Sequence, residues 1–133
     1  CIRPFASHKK LKENDEKPAH LVTVSDFWMD TTEITVQQYI SITQDTNFAA
    51  DTCLPCPKTR VNWYQAIRYA NLLSTLYGAD TVYSYTNSSK EYQSPTSGEI
   101  FLNLVVHDSV SGFRLPTEAE WEFAARGGTT TNF

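Results

Sequence analysis

One stretch near the end of the chain, GFRLPTEAEWEFAARGG (Gly112–Gly128), confines the backbone more tightly than any other. Pro116 restricts the approach, and Thr117 is a favoured N-cap residue. Glu120, three residues on, completes a T-x-x-E capping box in which each side chain takes the other residue's backbone N–H. Glu118 falls in the first turn, where the helix dipole favours an acid. Trp121, Ala124 and Ala125 supply an apolar face, and Gly127-Gly128 ends the run. The segment therefore predicts a helix over residues 117–126. Arg114 and Arg126 flank Glu118, Glu120 and Glu122, so ion pairs within the motif are expected.

Upstream the punctuation is also clear. His20 to Met29 is rich in β-branched and aromatic residues (Val22, Val24, Phe27, Trp28) and reads as a strand. Thr35 with Gln38 forms a second capping box. Val36, Tyr39, Ile40 and Thr43 then follow helical spacing, predicting about three turns. Phe48 to Thr59 reads as a loop. Asn62 caps a longer helix with Trp63, Ala66, Ile67, Ala70, Leu73 and Tyr77 on one face and Gly78 as its stop. Thr81 to Tyr85 reads as a short strand, Asn87 to Gly98 as a polar turn-rich segment, and Glu99 to Val106 as another strand. Asn87-Ser88-Ser89 fits a glycosylation sequon, a triplet common by chance.

Composition narrows the class. With 133 residues the chain argues for one domain, and 41% hydrophobic with 13% aromatic residues excludes wholesale disorder. Apolar runs are only a few residues long, so no transmembrane helix fits. The net charge of −4 argues against nucleic acid as a partner. Residues 1–17 hold five bases (Arg3, Lys9, Lys10, Lys12, Lys17) and three acids, leaving six bases and twelve acids beyond them. This reads as a solvated basic arm, 1–17, ahead of an acidic domain, 18–133.

Cys53 and Cys56 form a C-x-x-C in a Pro-rich loop. Three readings stay open: a local disulfide or free loop thiols, pairing with a partner outside the chain, and metal or redox chemistry. The second half of a zinc site is missing, His20 and His107 being the nearest histidines, and Pro55 and Pro57 oppose the helix that a thioredoxin-type pair requires. Cys1 suits the acylated first residue of a mature bacterial lipoprotein, though an arbitrary boundary looks the same.

Gly112–Gly128 resembles the signature of the formylglycine-generating-enzyme (sulfatase-modifying factor) superfamily. Three upstream stretches resemble it in order: NDEKPAHLVTVSDFWMD (Asn14–Asp30) its opening strand, TTEITVQQYISI (Thr31–Ile42, with Glu33 and Thr35) its E-V-T-x-x-x-Y helix, and VNWYQAIRYANLLS (Val61–Ser74, with Trp63) its V-S-W-x-x-A helix. The resemblance covers residues 14 to 133. It implies an irregular α+β fold related to C-type lectins, with little regular secondary structure and incomplete at its C-terminal side.

The departures bear on function. The family's usual Met-Gly turn before the opening strand has no counterpart in Cys1 to Lys12. Its calcium-ligand loops, R-V-x-R-G-G-S-W stretch and copper-binding cysteine pair lie downstream of the signature helix, and this chain holds five residues past Gly128. None of the family's catalytic residues is therefore carried onto it, and Cys53 and Cys56 are not assigned the copper role. The expectation is no cofactor in this chain, with calcium or copper only in a longer native protein.

The motif residues Glu33, Thr35, Trp63, Arg114, Pro116, Thr117, Glu118, Glu120, Trp121, Glu122, Arg126 and Gly127 read as scaffold. Arg114 is expected to pair with one of the glutamates, and Trp63 and Trp121 to anchor the core rather than stack on sugars. Without the downstream segment, their faces are expected to leave an apolar patch for the rest of a native chain or a partner protein. The leading expectation is a noncatalytic, extracytoplasmic binding or assembly module. The alternatives are the N-terminal half of an oxidase of the formylglycine-generating or sulfoxide-synthase type and, more weakly, a lectin-like glycan binder.

Overall fold

A computed structural model of the chain describes residues 3–10, 21–45, 53–90 and 99–127. It is a mixed α+β fold, and its contacts divide into two units: Cys1–Thr32 with Pro116–Phe133, and Glu33–Leu115.

In the first unit, strand β1 (Arg3–Lys10) pairs antiparallel with β2 (Leu21–Met29), from Arg3 opposite Met29 to Lys10 opposite Leu21, with an irregularity between Phe5 and Ser7. Over Arg3–Lys10 the expected solvated arm is thus a strand, because the ladder to β2 takes up the backbone groups that a free arm would leave to water. Cys1, Lys12 and Lys17 lie outside the described residues.

The helix of this unit is α3 (Glu118–Arg126). Its buried side chains are Glu120 and Phe123, and Phe123 meets Phe27 of β2 edge to face at 6.3 Å. Trp121 and Ala125 are exposed, which corrects the expected apolar face. Successive helical residues are separated by about 100°, so a helix turned to bury Glu120 and Phe123 carries Trp121 toward solvent.

The second unit holds α1 (Val36–Thr43) and α2 (Trp63–Leu76). Helix α1 is shorter than the expected three turns, because Gln44 takes a left-handed conformation at φ 57° and returns its N–H to Ile40. Helix α2 begins in a capping box of Asn62 and Gln65. It ends in a Schellman arrangement: Gly78, at φ +67°, donates to the Thr75 carbonyl at 3.2 Å, and Ala79 donates to Ser74 at 2.8 Å.

Two segments then form a bent hairpin. Strands β3 (Tyr83–Ser84) and β6 (Val105–Val106) pair antiparallel, as do β4 (Asn87–Lys90) and β5 (Glu99–Leu102). Asn87–Lys90 is therefore a strand, not the start of a turn-rich segment. The single strand expected over 99–106 is broken at Asn103, whose left-handed φ of 54° turns the chain between the two ladders. The core of this unit is Ile67, Ala70, Val82 and Tyr83, with Tyr64, Tyr85, Leu104, Val110 and Leu115 packed around it. A second contact joins the helices, Tyr39 of α1 stacking on Tyr69 of α2 with ring centres 5.5 Å apart.

Candidate functional site

The signature segment begins in a stretch tied down by polar side chains of α2 and β3. Ser74, completely buried, hydrogen-bonds its hydroxyl to the Ala70 carbonyl at 3.0 Å and accepts the Phe113 N–H at 2.8 Å. The Leu115 N–H donates to the Tyr83 phenol oxygen at 3.0 Å. Gly112 passes directly over Asp80, whose N–H donates to the Ser111 carbonyl at 3.2 Å. Asn71 holds β3 through one amide: its Nδ2 donates to the Tyr83 carbonyl at 2.6 Å and its Oδ1 accepts the Tyr83 N–H at 3.2 Å. The apolar periodicity of α2 passes over Asn71 and Ser74. Their only trace in the sequence is a polar residue on or beside an otherwise apolar helix face.

The motif residues fall in both units. Glu33, exposed, precedes Thr35, whose Oγ1 accepts the Gln38 N–H at 3.2 Å while the Gln38 amide oxygen accepts the Thr35 N–H at 2.8 Å. Thr117 and Glu120 do the same for α3, at 3.3 and 2.7 Å. Pro116 and Glu118 are exposed, and Gly127 closes α3 at φ +55°. Arg126 forms an ion pair with Glu122 one turn back, at 2.6 Å. Arg114, in the Glu33–Leu115 unit, reaches the Leu115 carbonyl at 3.1 Å.

The expectation of tryptophan core anchors is corrected, since Trp63 is 49% exposed and Trp121 61%. Trp63 is the first residue of α2, a full turn ahead of Ile67 where the core begins, and its ring lies nearly perpendicular to that of Tyr64 with centres 5.3 Å apart. Trp28 on β2 is exposed as well, so all three tryptophans of the chain present surface. Tyr77 and Phe113, also exposed, lie with ring centres 5.5 Å apart at the end of α2.

Cys53 and Cys56 are joined in a disulfide, the local pairing that the sequence offered as one of its readings. Outside this loop, Ser84 Oγ lies 2.8 Å from His107 Nε2 on the exposed side of β3. Among the described residues no three His, Cys, Asp or Glu side chains gather as a metal site, and no helix is long and apolar enough to cross a membrane.

Residues 4–133 match the sulfatase-modifying factor enzyme 1-like domain. The chain belongs to this family. The chain is 32% identical over 108 residues to the chaperone protein LppX of Paenibacillus barcinonensis, covering 80% of this chain and 38% of that protein. It is 26% identical over 132 residues to the formylglycine-generating enzyme of Mus musculus, covering 90% and 36%. Its fold matches Treponema denticola variable protein 1 with a TM-score of 0.73 and 26% identity, over 96% of this chain and 53% of that one. The chain thus spans little more than a third of these two curated relatives. The family match, beginning at residue 4, takes in most of the segment expected to be an arm.

Proposed function

We propose that this sulfatase-modifying factor-like chain is a noncatalytic module of an exported or surface protein, serving binding or assembly. The observation that carries the reading is how the motif side chains are used. Thr35, Thr117 and Glu120 satisfy backbone groups at helix starts, and Glu122 is committed to Arg126. Meanwhile the large aromatic side chains Trp28, Trp63, Trp121 and Tyr77 are left on the surface. Exposed aromatics of this size supply contact area to a partner or to further polypeptide of the same protein. Similarity to a protein named as a chaperone supports a polypeptide partner. The Cys53–Cys56 disulfide supports an oxidising, extracytoplasmic setting.

The similarity to a formylglycine-generating enzyme favours a second reading, the N-terminal half of an oxidase. One experiment tests the noncatalytic reading. The purified full chain is incubated aerobically with copper and a cysteine-containing peptide, and formylglycine is sought by mass spectrometry. In parallel, its ability to slow aggregation of a chemically unfolded test protein is measured. The noncatalytic reading expects no formylglycine, slower aggregation, and loss of that effect in a Trp63→Ser/Trp121→Ser variant. It also expects an unchanged melting curve in the presence of a chelator. Formylglycine production overturns it.

A further inference from the structure

We propose that Cys53–Cys56 is an exchangeable disulfide whose reduction by a dithiol releases the first two amides of α1, those of Val36 and Gln37. The backbone hydrogen bonds of the first turn carry the argument. A helix leaves its first N–H groups without partners inside the helix. In α1 the first two find them about twenty residues downstream: Val36 donates to the Cys56 carbonyl and Gln37 to the Leu54 carbonyl, both at 2.9 Å. The third, Gln38, is satisfied locally by Thr35. Lys58 closes the loop over the helix start by donating to the Ile34 carbonyl at 2.8 Å, beside a bridge between Thr35 and Pro57.

Both acceptor carbonyls thus belong to residues of the four-residue disulfide ring. Pro55 within that ring has no N–H, and the hydrogen bond across it, Cys56 N–H to the Cys53 carbonyl, spans 3.1 Å. The disulfide is the covalent restraint on the ring that presents the two carbonyls to the helix start, added to the hydrogen bonds of Cys56 and Lys58. Cys53 and Cys56 are both exposed, so a thiolate can approach. It attacks one sulfur, forming a mixed disulfide and displacing the other cysteine as a thiolate. The reagent's second thiol then attacks the reagent sulfur of the mixed disulfide, breaking its bond to the cysteine, which leaves as the second thiolate while the reagent departs as a cyclic disulfide. Two electrons pass from the dithiol to the cysteine pair, which takes up two protons.

The helix itself has other anchors. Val36 and Tyr39 bury their side chains and Tyr39 stacks on Tyr69, so the release is confined to the Val36 and Gln37 amides.

The test follows amide exchange by NMR in the full chain, with dithiothreitol as the probe. Two thiols should become titratable without denaturant. The Val36 and Gln37 amides should exchange at least tenfold faster, while Gln38 and Ala70 stay within twofold of their oxidised rates. A Cys53→Ser/Cys56→Ser variant should show the fast Val36 and Gln37 exchange from the outset and ignore dithiothreitol. If that variant does not fold, reoxidation of the reduced natural chain should restore the slow rates. A disulfide that resists dithiothreitol in the folded protein overturns the proposal. So does unchanged Val36 and Gln37 exchange after reduction, or acceleration spread through α2.

Discussion

A single added methyl group at Gly112 tests the packing described above. Gly112 has no need of a positive φ; what it needs is the absence of a side chain. A Cβ built there would lie 2.0 Å from the Asp80 carbonyl oxygen, 3.1 Å from its carbon and 3.1 Å from Ser74 Oγ. The nearest atom is backbone, so no rotamer change relieves the contact, and the two segments must separate by about 1 Å or more to restore van der Waals distance. That movement works against two hydrogen bonds, Asp80 N–H to Ser111 at 3.2 Å and Phe113 N–H to Ser74 Oγ at 2.8 Å. Overpacking costs about 1–3 kcal/mol and each of the two strained hydrogen bonds about 1 kcal/mol, so Gly112→Ala should lose roughly 3–5 kcal/mol. Against a total stability of about 5–15 kcal/mol, that lowers Tm by about 10–20 °C. Gly78→Ala and Gly127→Ala are the controls. Both glycines have positive φ but nothing within 4 Å of an added Cβ, so each should cost about 1–2 kcal/mol of backbone strain alone. Urea denaturation and thermal melts followed by circular dichroism would rank the three variants. If Gly112→Ala melts at or above the temperature of Gly127→Ala, the close-approach argument is wrong.

Other substitutions probe separate links. Thr117→Ala removes the hydroxyl that accepts the Glu120 N–H and should cost roughly 1 kcal/mol in a urea titration. Asn71→Ala strands the Tyr83 N–H and carbonyl together, for a loss of about 2 kcal/mol and faster exchange of the Tyr83 amide. Ile67→Ala, at a completely buried position, should cost about 2–5 kcal/mol, whereas Trp121→Ala, at an exposed one, should cost less than about 1 kcal/mol in the same assay.

The parts of the fold legible in the sequence are those specified within a few residues. Thr35 with Gln38, Asn62 as the cap of α2, and Thr117 with Glu120 mark three helix starts, because a capping box is a contact between neighbours three apart. Gly78 and Gly127 mark two stops for the same reason. Illegible were the contacts that join distant segments through polar groups. Asn71 and Ser74 are polar residues in an otherwise apolar pattern, and nothing local says that their partners are Tyr83 and Phe113. The exposed side of α3 is not legible, because periodicity takes Trp121 for core, whereas the capping geometry holds Glu120 inward. The carbonyls that satisfy Val36 and Gln37 come from the C-x-x-C loop across a gap no local pattern spans. The family signature was legible through its residue types, and the roles of those residues only through their hydrogen bonds.

The amide of Asn71 has a wider consequence. In an antiparallel ladder, residues alternate between facing their partner strand and facing away. Tyr83 spends both backbone groups on Asn71, so on that side β3 presents a side chain where another strand would otherwise lie. A helix residue thus terminates the sheet, and no bare row of donors and acceptors is left there for a second molecule to join. Asparagine suits the position because its amide carries both a donor nitrogen and an acceptor oxygen at the reach of a peptide group; aspartate lacks the donor and leucine lacks both. Sheets finished by side chains can remain two residues long, and insertions can lengthen the loops between them without creating an adhesive border.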